Sequence, residues 1–222
     1  MTKKEKIPVT LPVYTLGEEL CNAISHGLGA ALSIAGCVVA IVFAAIYGNA
    51  WSVVSASIYG ASLIITYTTS TLYHALTNRT AKKVFRILDH STIFLLIAGS
   101  YTPMTLVSLR GPMGWVLFGI VWGAAALGIT LNAVGLERFK KVSMLAYIAS
   151  GWAALIAIVP LYRAMNHIGF WLLVGGGVAY TAGIIFFKMK NIKYMHAVWH
   201  LFVIAGSLLH YFMILFYVLP TK

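Results

Sequence analysis

YMHAVWHLFVIAGSLLHYFMILFYVL, residues 194–219, runs for 26 positions without a Lys, Arg, Asp or Glu. At about 1.5 Å per residue, a helix of that length reaches roughly 39 Å, more than the ~30 Å hydrocarbon core of a bilayer. The stretch reads as a membrane-spanning helix. Six stretches before it read the same way: about 25–47, 51–76, 87–109, 113–134, 142–163 and 168–187. The fold class is therefore all-α, a polytopic bundle of seven transmembrane helices over residues 25–219, with 1–24 as a cytoplasmic N-terminal segment. Composition agrees, with 60% hydrophobic residues, 9% charged residues and a mean hydropathy of +0.88. A soluble domain is nearer ~25% charged. The long apolar runs exclude a β-barrel, whose strands alternate. The lead-in to the first run lacks a short apolar region with a cleavage site, so that run reads as a retained helix and not as a signal peptide.

The chain carries 16 Lys+Arg against 5 Asp+Glu, a formal net charge of +11. In a soluble protein this would point to nucleic acid. Here the cations fall in short loops between apolar runs, where they act as orientation signals and contacts for anionic lipid, and no nucleic-acid partner is expected. With the N-terminus in the cytoplasm, the inner segments hold Lys3, Lys4 and Lys6; Arg79, Lys82, Lys83 and Arg86; Arg138, Lys140 and Lys141; and Lys188, Lys190 and Lys193. Only Arg110, Arg163 and Lys222 fall outside. Thirteen against three predicts N-in, C-out topology in the cell membrane, and the alternation needs an odd number of spans. Cys21 and Cys37, 16 residues apart on one helix, would lie about 24 Å apart, beyond disulfide reach. Pro103 and Pro160 predict kinks or early helix ends. Gly119 and Gly123, with GxxxG spacing, and the run Gly175-Gly176-Gly177 predict close helix packing inside the bundle, with a dimer face as the alternative.

Four ionisable side chains interrupt the apolar stretches near one face: His74, Asp89, His196 and His200. Such groups are costly in a bilayer, so each is a functional candidate. His74 lies five residues before Arg79, about 7.5 Å along the helix, and Asp89 three residues, about 4.5 Å, beyond Arg86. His196 and His200 lie about 4.5 and 10.5 Å beyond Lys193. The topology puts all four in one layer near the inner surface. A His pair at i, i+4 grips one metal from one helix face. A third imidazole completes the ligand set of a catalytic zinc with an open fourth position. Asp89 would then bind the metal or act as general base. Ser70, one turn from His74, would orient that imidazole or donate to an oxyanion. The bland alternatives are packing or hydrogen-bonding histidines, and an interface Asp89 paired with Arg86 or a neighbouring lysine. His26, near the same face, could line the cavity but reads first as structural. His90 points about 100° away from Asp89. His210, ~21 Å from His196, cannot reach the same metal.

The chain resembles the hemolysin III family, the bacterial branch of the progestin and adipoQ receptor superfamily. The segments that carry the resemblance run in family order across nearly the whole chain. They are Glu18-Glu19-Leu20-Cys21-Asn22-Ala23-Ile24-Ser25-His26-Gly27, Ser70 to His74, Leu88-Asp89-His90-Ser91 with Gly99-Ser100-Tyr101-Thr102-Pro103, and His196 to His200. The resemblance implies a seven-helix bundle and a zinc ion held by His74, His196 and His200, with Asp89 and Ser70 at the family's aspartate and serine positions. It also implies ceramidase-like chemistry on lipid amides or esters, in membrane lipid homeostasis. Membrane lipids are the expected partners. Outer loops of a few residues leave no room for a protein hormone. Two other readings stay open: a pore or cytolysin, as the family name suggests, and a sensor of lipid state in which zinc is a structural clasp.

Overall fold

The computed structural model describes residues 8–221, so Lys3, Lys4, Lys6 and Lys222 lie outside the described residues. Most of the described residues are helical, and no strand is found among them. The helices are α1 Leu16–Tyr47, α2 Ala50–Ala75, α3 Arg79–Pro103, α4 Pro112–Gly151, α5 Ile158–Ala164, α6 His167–Lys188 and α7 Met195–Tyr217. Among the described residues, six helical units are long and apolar enough to cross a membrane, and the fourth of them, Pro112–Ala164, runs for 53 residues.

That fourth unit doubles back. Gly135 leaves helical geometry at φ −174 and ψ 76. Across the break, Ser143 Oγ donates to Asn132 Oδ1 at 2.7 Å, and Asn132 Nδ2 donates to the Tyr147 hydroxyl at 3.2 Å. On a straight helix, 11 residues would separate Asn132 and Ser143 by about 16 Å. The two limbs of α4 are therefore antiparallel neighbours, buckled together by a buried amide. Each proline ends or loosens a helix, as its missing N–H dictates. Pro103 closes α3 and is followed by a π-turn at Met104–Ser108, and Pro160 lies in the short α5 behind a 3₁₀ turn at Ala153–Ala157. The turn before α4 uses Gly111 at φ +140, which a residue bearing a Cβ rarely adopts.

α1 starts well before the apolar run. Thr15 and Glu18 form a capping box, in which Thr15 Oγ accepts from Glu18 N at 3.3 Å and Glu18 Oε2 accepts from Thr15 N at 2.9 Å. The stretch from 16 to 24, read from sequence as part of a polar N-terminal segment, is thus two helical turns. The second Glu18 oxygen accepts from Tyr194 N at 3.1 Å. Tyr194 itself adopts φ +64, an uncommon conformation for a bulky aromatic residue, immediately before α7 begins. One carboxylate therefore fixes the starts of the first and last helices.

Packing follows small residues and buried hydroxyls, as expected where lipid removes the hydrophobic drive between helices. Gly60 lies so close to Cys37 that an added Cβ would meet Sγ at 2.2 Å, and Gly99 stands in the same relation to Ser62 Oγ at 2.1 Å. On α7, Ser207 gathers three tyrosines: Tyr67 donates to its Oγ at 2.7 Å, Tyr180 lies 2.8 Å from it, and Tyr59 donates to its carbonyl at 3.2 Å. This sets the rotation of α7, and His196, His200, Val203 and Ser207 share the inward face at helical spacing. The Gly175–Gly177 run packs on neighbours, with a Cβ at Gly176 meeting His210 at 2.2 Å. The Gly119–Gly123 pair does not. A methyl at either position would meet nothing within 4 Å, and both are exposed on the bundle exterior. The expectation of close internal packing there is corrected, because GxxxG spacing specifies a flat stripe but not the direction it faces.

Candidate metal centre

The start of α1, the end of α2, the start of α3, the α4 reversal, the end of α6 and the start of α7 meet at one end of the bundle. Lys82 Nζ bonds Glu19 Oε1 at 2.6 Å, and Arg86 reaches both Glu137 and the Thr10 carbonyl. Burial raises the Glu137 carboxyl, but the Arg86 and Thr10 hydrogen bonds and the nearby cations hold it at about 2. Arg86 thus pairs with Glu137, and the expected alternative of an Asp89–Arg86 pair is not what forms.

Inside this basic end lie His74, His196 and His200. One potential ligand atom from each falls within 4.8 Å of the other two, and among the described residues this is the group of His, Cys, Asp or Glu side chains able to hold a metal. The ring centroids form a triangle with sides of 4.7, 5.1 and 5.3 Å. His74 is 3% exposed and His200 is fully buried. The Nε2 atom of each of the three rings is buried without a hydrogen-bond partner.

The other ring nitrogens explain why. His74 Nδ1 lies 2.7 Å from Glu19 Oε2 and donates to that carboxylate, leaving a lone pair on Nε2. Ser25 Oγ donates its proton to the Asn22 carbonyl at 3.0 Å, so it accepts from His200 Nδ1, also at 3.0 Å. His200 Nε2 is then likewise a bare lone pair. The hydrogen-bond network assigns both tautomers, and both present a metal-binding nitrogen. A carboxylate behind a ligating imidazole is the usual support for such a ligand, and its loss typically weakens binding 10–100-fold. A tetrahedral zinc with bonds of about 2 Å holds its nitrogens about 3.3 Å apart, within the 4.8 Å limit. Three buried, otherwise unpaired imidazole nitrogens therefore fit a borderline transition metal.

The Glu19→Gln variant should bind zinc 10–100-fold more weakly while keeping its fold, as read by chelator competition and thermal melting in detergent. Equal zinc affinity in variant and wild type would show that Glu19 does not hold His74 for an ion.

Asp89 stands outside the three-histidine group. It is buried, its Oδ2 lies 3.6 Å from His90 Nδ1, and it lines an apolar cavity together with His26 and His90. Ser70 is also buried, its hydroxyl lacks a well-formed hydrogen bond, and it is near enough to the Asp89 carboxylate to act on it. It does not orient His74; Glu19 does. His26 stacks on His200 with centroids 3.4 Å apart and planes 9° apart, and neither of its ring nitrogens has a partner. His210, ten positions beyond His200 on α7, is tied to the Leu173 carbonyl of α6 at 3.1 Å. Tyr14 covers the cluster, with its ring 5.9 Å from His74 and 5.4 Å from His196.

The cavity has a volume of about 150 Å³ and lies between α3, the second limb of α4, α6 and α7. Its walls are mostly apolar, among them Ile93, Leu96, Met144, Ile184 and Val203. Trp152 Nε1 bridges to Thr181 Oγ1 at 3.1 Å toward its far end.

Sequence reasoning singled out the three histidines but not Glu19, Ser25 or Tyr14. The available signal was the capping-box pattern from Thr15 to Glu18, which starts a helix early enough for Glu19, Asn22, Ser25 and His26 to follow at helical spacing.

A profile of the family described as "Haemolysin-III related" matches residues 14–211, which includes every residue of the centre. The chain is 48% identical over 204 residues to "Hemolysin-3" of Bacillus cereus, covering 92% of this chain and 93% of that one. It is 44% identical to "Hemolysin-3 homolog" of Bacillus subtilis (strain 168), covering 92% and 96%. It is 30% identical over 172 residues to "Monocyte to macrophage differentiation factor" of Homo sapiens, covering 75% and 71%.

Proposed function

The chain belongs to the haemolysin-III related family of multi-pass membrane proteins, and from the layout of its buried centre we propose that it is a zinc-dependent hydrolase of lipid amide or ester bonds. One observation carries this reading: Asp89 lines the apolar cavity but stands outside the three-nitrogen group. A structural clasp would recruit the carboxylate as a fourth ligand and close the site, whereas a catalytic centre keeps a position open.

When bound, zinc supplies a Lewis acid that polarises a carbonyl and eases the deprotonation of water. The residues of the chain do the rest. The cavity takes the acyl chain and excludes bulk water. Asp89 accepts the proton of the attacking water as the new C–O bond forms. The unpartnered Ser70 hydroxyl donates to the developing oxyanion. As the C–N or C–O bond breaks, Asp89 returns the proton to the leaving amine or alcohol, and a fatty acid remains. Glu19 and Ser25 keep two imidazoles in the required tautomer.

The proposed setting is seven crossings with the N-terminus in the cytoplasm, so that the centre sits at the inner leaflet. Lysis, as in the name of the Bacillus cereus relative, would follow from altered membrane lipids. A pore needs polar residues along its length, and the cavity walls are mostly apolar.

Purified protein should carry about one zinc and release fatty acid from a mixed native lipid extract. Chelation should abolish the release, and added zinc should restore it. Zinc-loaded protein that releases nothing from any lipid would replace the hydrolase with a structural or sensing clasp.

A further inference from the structure

A second cleft, about 340 Å³ in volume, opens at the basic end beside the centre. Its walls include Tyr14, Arg86, His90, Lys140, Lys190 and the metal-facing His196. Three residues, His90, Lys140 and Phe187, line both this cleft and the apolar cavity. The two spaces therefore share a wall, and the shared wall lies next to the centre. One side suits hydrocarbon and the other is polar and cationic.

The cations facing the cleft are incompletely neutralised. Glu18 is engaged by Thr15 and by the Tyr194 amide. Glu137 is held by Arg86 and Thr10, and reaches Lys140 only at 3.7 Å. Lys190 makes no ion pair among the described residues; its ammonium instead stands next to that of Lys140 and 5.8 Å over the Phe187 ring. Burial, and then Lys140, depress its protonation relative to a free lysine. Two ammonium groups brought together from α4 and the end of α6 repel one another unless an anion lies between them. Lys140 also reaches into the wall of the hydrocarbon space, which a lysine serving only the membrane surface has no reason to do.

We propose that Lys140 and Lys190 form a binding site for the phosphate of an anionic glycerophospholipid whose acyl chain occupies the apolar cavity. The ester carbonyls of such a lipid lie between phosphate and chain, so they fall at the shared wall, within reach of Asp89 and the three histidines. That the lipid is a substrate rests on the hydrolase reading; that it binds does not. The phosphate could come from a free ion instead of a headgroup, but the apolar space beyond the shared wall favours the lipid.

The test is displacement of a fluorescent phosphatidylglycerol from the full-length, zinc-loaded protein in neutral maltoside micelles. Competitors are unlabelled phosphatidylglycerol, diacylglycerol with the same chains, and inorganic phosphate. Each lysine near an anionic headgroup is worth roughly fivefold in affinity. Wild type should prefer phosphatidylglycerol to diacylglycerol by about 25-fold, and the Lys140→Gln/Lys190→Gln variant should lose that preference while keeping its melting temperature and zinc content. The Lys188→Gln/Lys193→Gln variant removes the same charge from the same end without touching the cleft, and should bind as wild type does. An equal loss in both double variants would mean general surface attraction and overturn the site. Equal affinity for the two lipids in wild type would overturn it too, and displacement by millimolar inorganic phosphate alone would overturn the lipid assignment. Fatty-acid release is measured on the same samples. Binding without hydrolysis of any lipid removes the hydrolase reading and leaves the site standing, whereas hydrolysis indifferent to the headgroup does the reverse.

Discussion

Replacing His200 with alanine should strip the protein of zinc. Structural zinc sites are worth about 10–16 kcal/mol over four ligands, so one nitrogen carries about 3–4 kcal/mol and its loss weakens binding ~10²–10³-fold. The effect should be near the top of that range, because His200 is fully buried and its tautomer is fixed by Ser25. Lipid hydrolysis should fall with the metal. His200 also stacks on His26, so its removal leaves a gap, and a His200→Gln variant that keeps most of the volume separates lost ligation from lost packing. Both variants should retain helical circular dichroism while metal analysis shows less than a tenth of the wild-type zinc. Full zinc occupancy in His200→Gln would mean that the three unpaired nitrogens do not act as one site.

Replacing Asp89 with asparagine should give the opposite pattern, with zinc retained and hydrolysis lost. The two side chains have the same shape, and Asp89 is not among the metal-facing atoms, so metal content should stay at wild-type level. A positioned general base contributes about 10²–10⁴-fold to rate, and asparagine cannot accept the proton. The loss should appear in kcat more than in KM, because Asp89 acts on the reacting water and not on lipid binding. Simultaneous loss of zinc would instead make Asp89 a ligand and favour the clasp.

The large features were legible because they depend on composition and local spacing. The apolar runs are mostly helical, broken by the π-turn after Pro103 and the 3₁₀ turn after Trp152, and the HxxxH pair on residues 196 and 200 shares a face because 3.6 residues make a turn. The convergence of His74 with that pair followed from charge bookkeeping, since lysines and arginines put three helix ends in one layer. What escaped was contact between distant residues that look ordinary alone. Glu19 resembles a solvated lead-in charge, yet it bonds an imidazole 55 residues away. Arg86 was weighed against Asp89, three positions on, and instead pairs with Glu137, 51 positions on. Ser70 was placed one turn from His74, but its hydroxyl lies on the Asp89 side. Gly119 and Gly123 gave a spacing without a direction. In each case the missing information was the rotation of a helix about its own axis, which periodicity constrains only when one face is plainly polar.

The tie between Glu18 and the Tyr194 amide has a consequence for how the protein is made. A ribosome delivers α1 and α2 to the bilayer long before α7 exists, because domains emerge N-terminus first. Until then Glu18 has no Tyr194 to hold, and His74 is a solitary imidazole. A chain halted before residue 195 is inserted and helical but holds one nitrogen of the three. On the proposed reading, metal loading would follow completion of the chain. Cells short of the ion would accumulate protein that has entered the membrane with its three imidazole nitrogens unpaired, and this pool is the one that quality-control proteases should clear first.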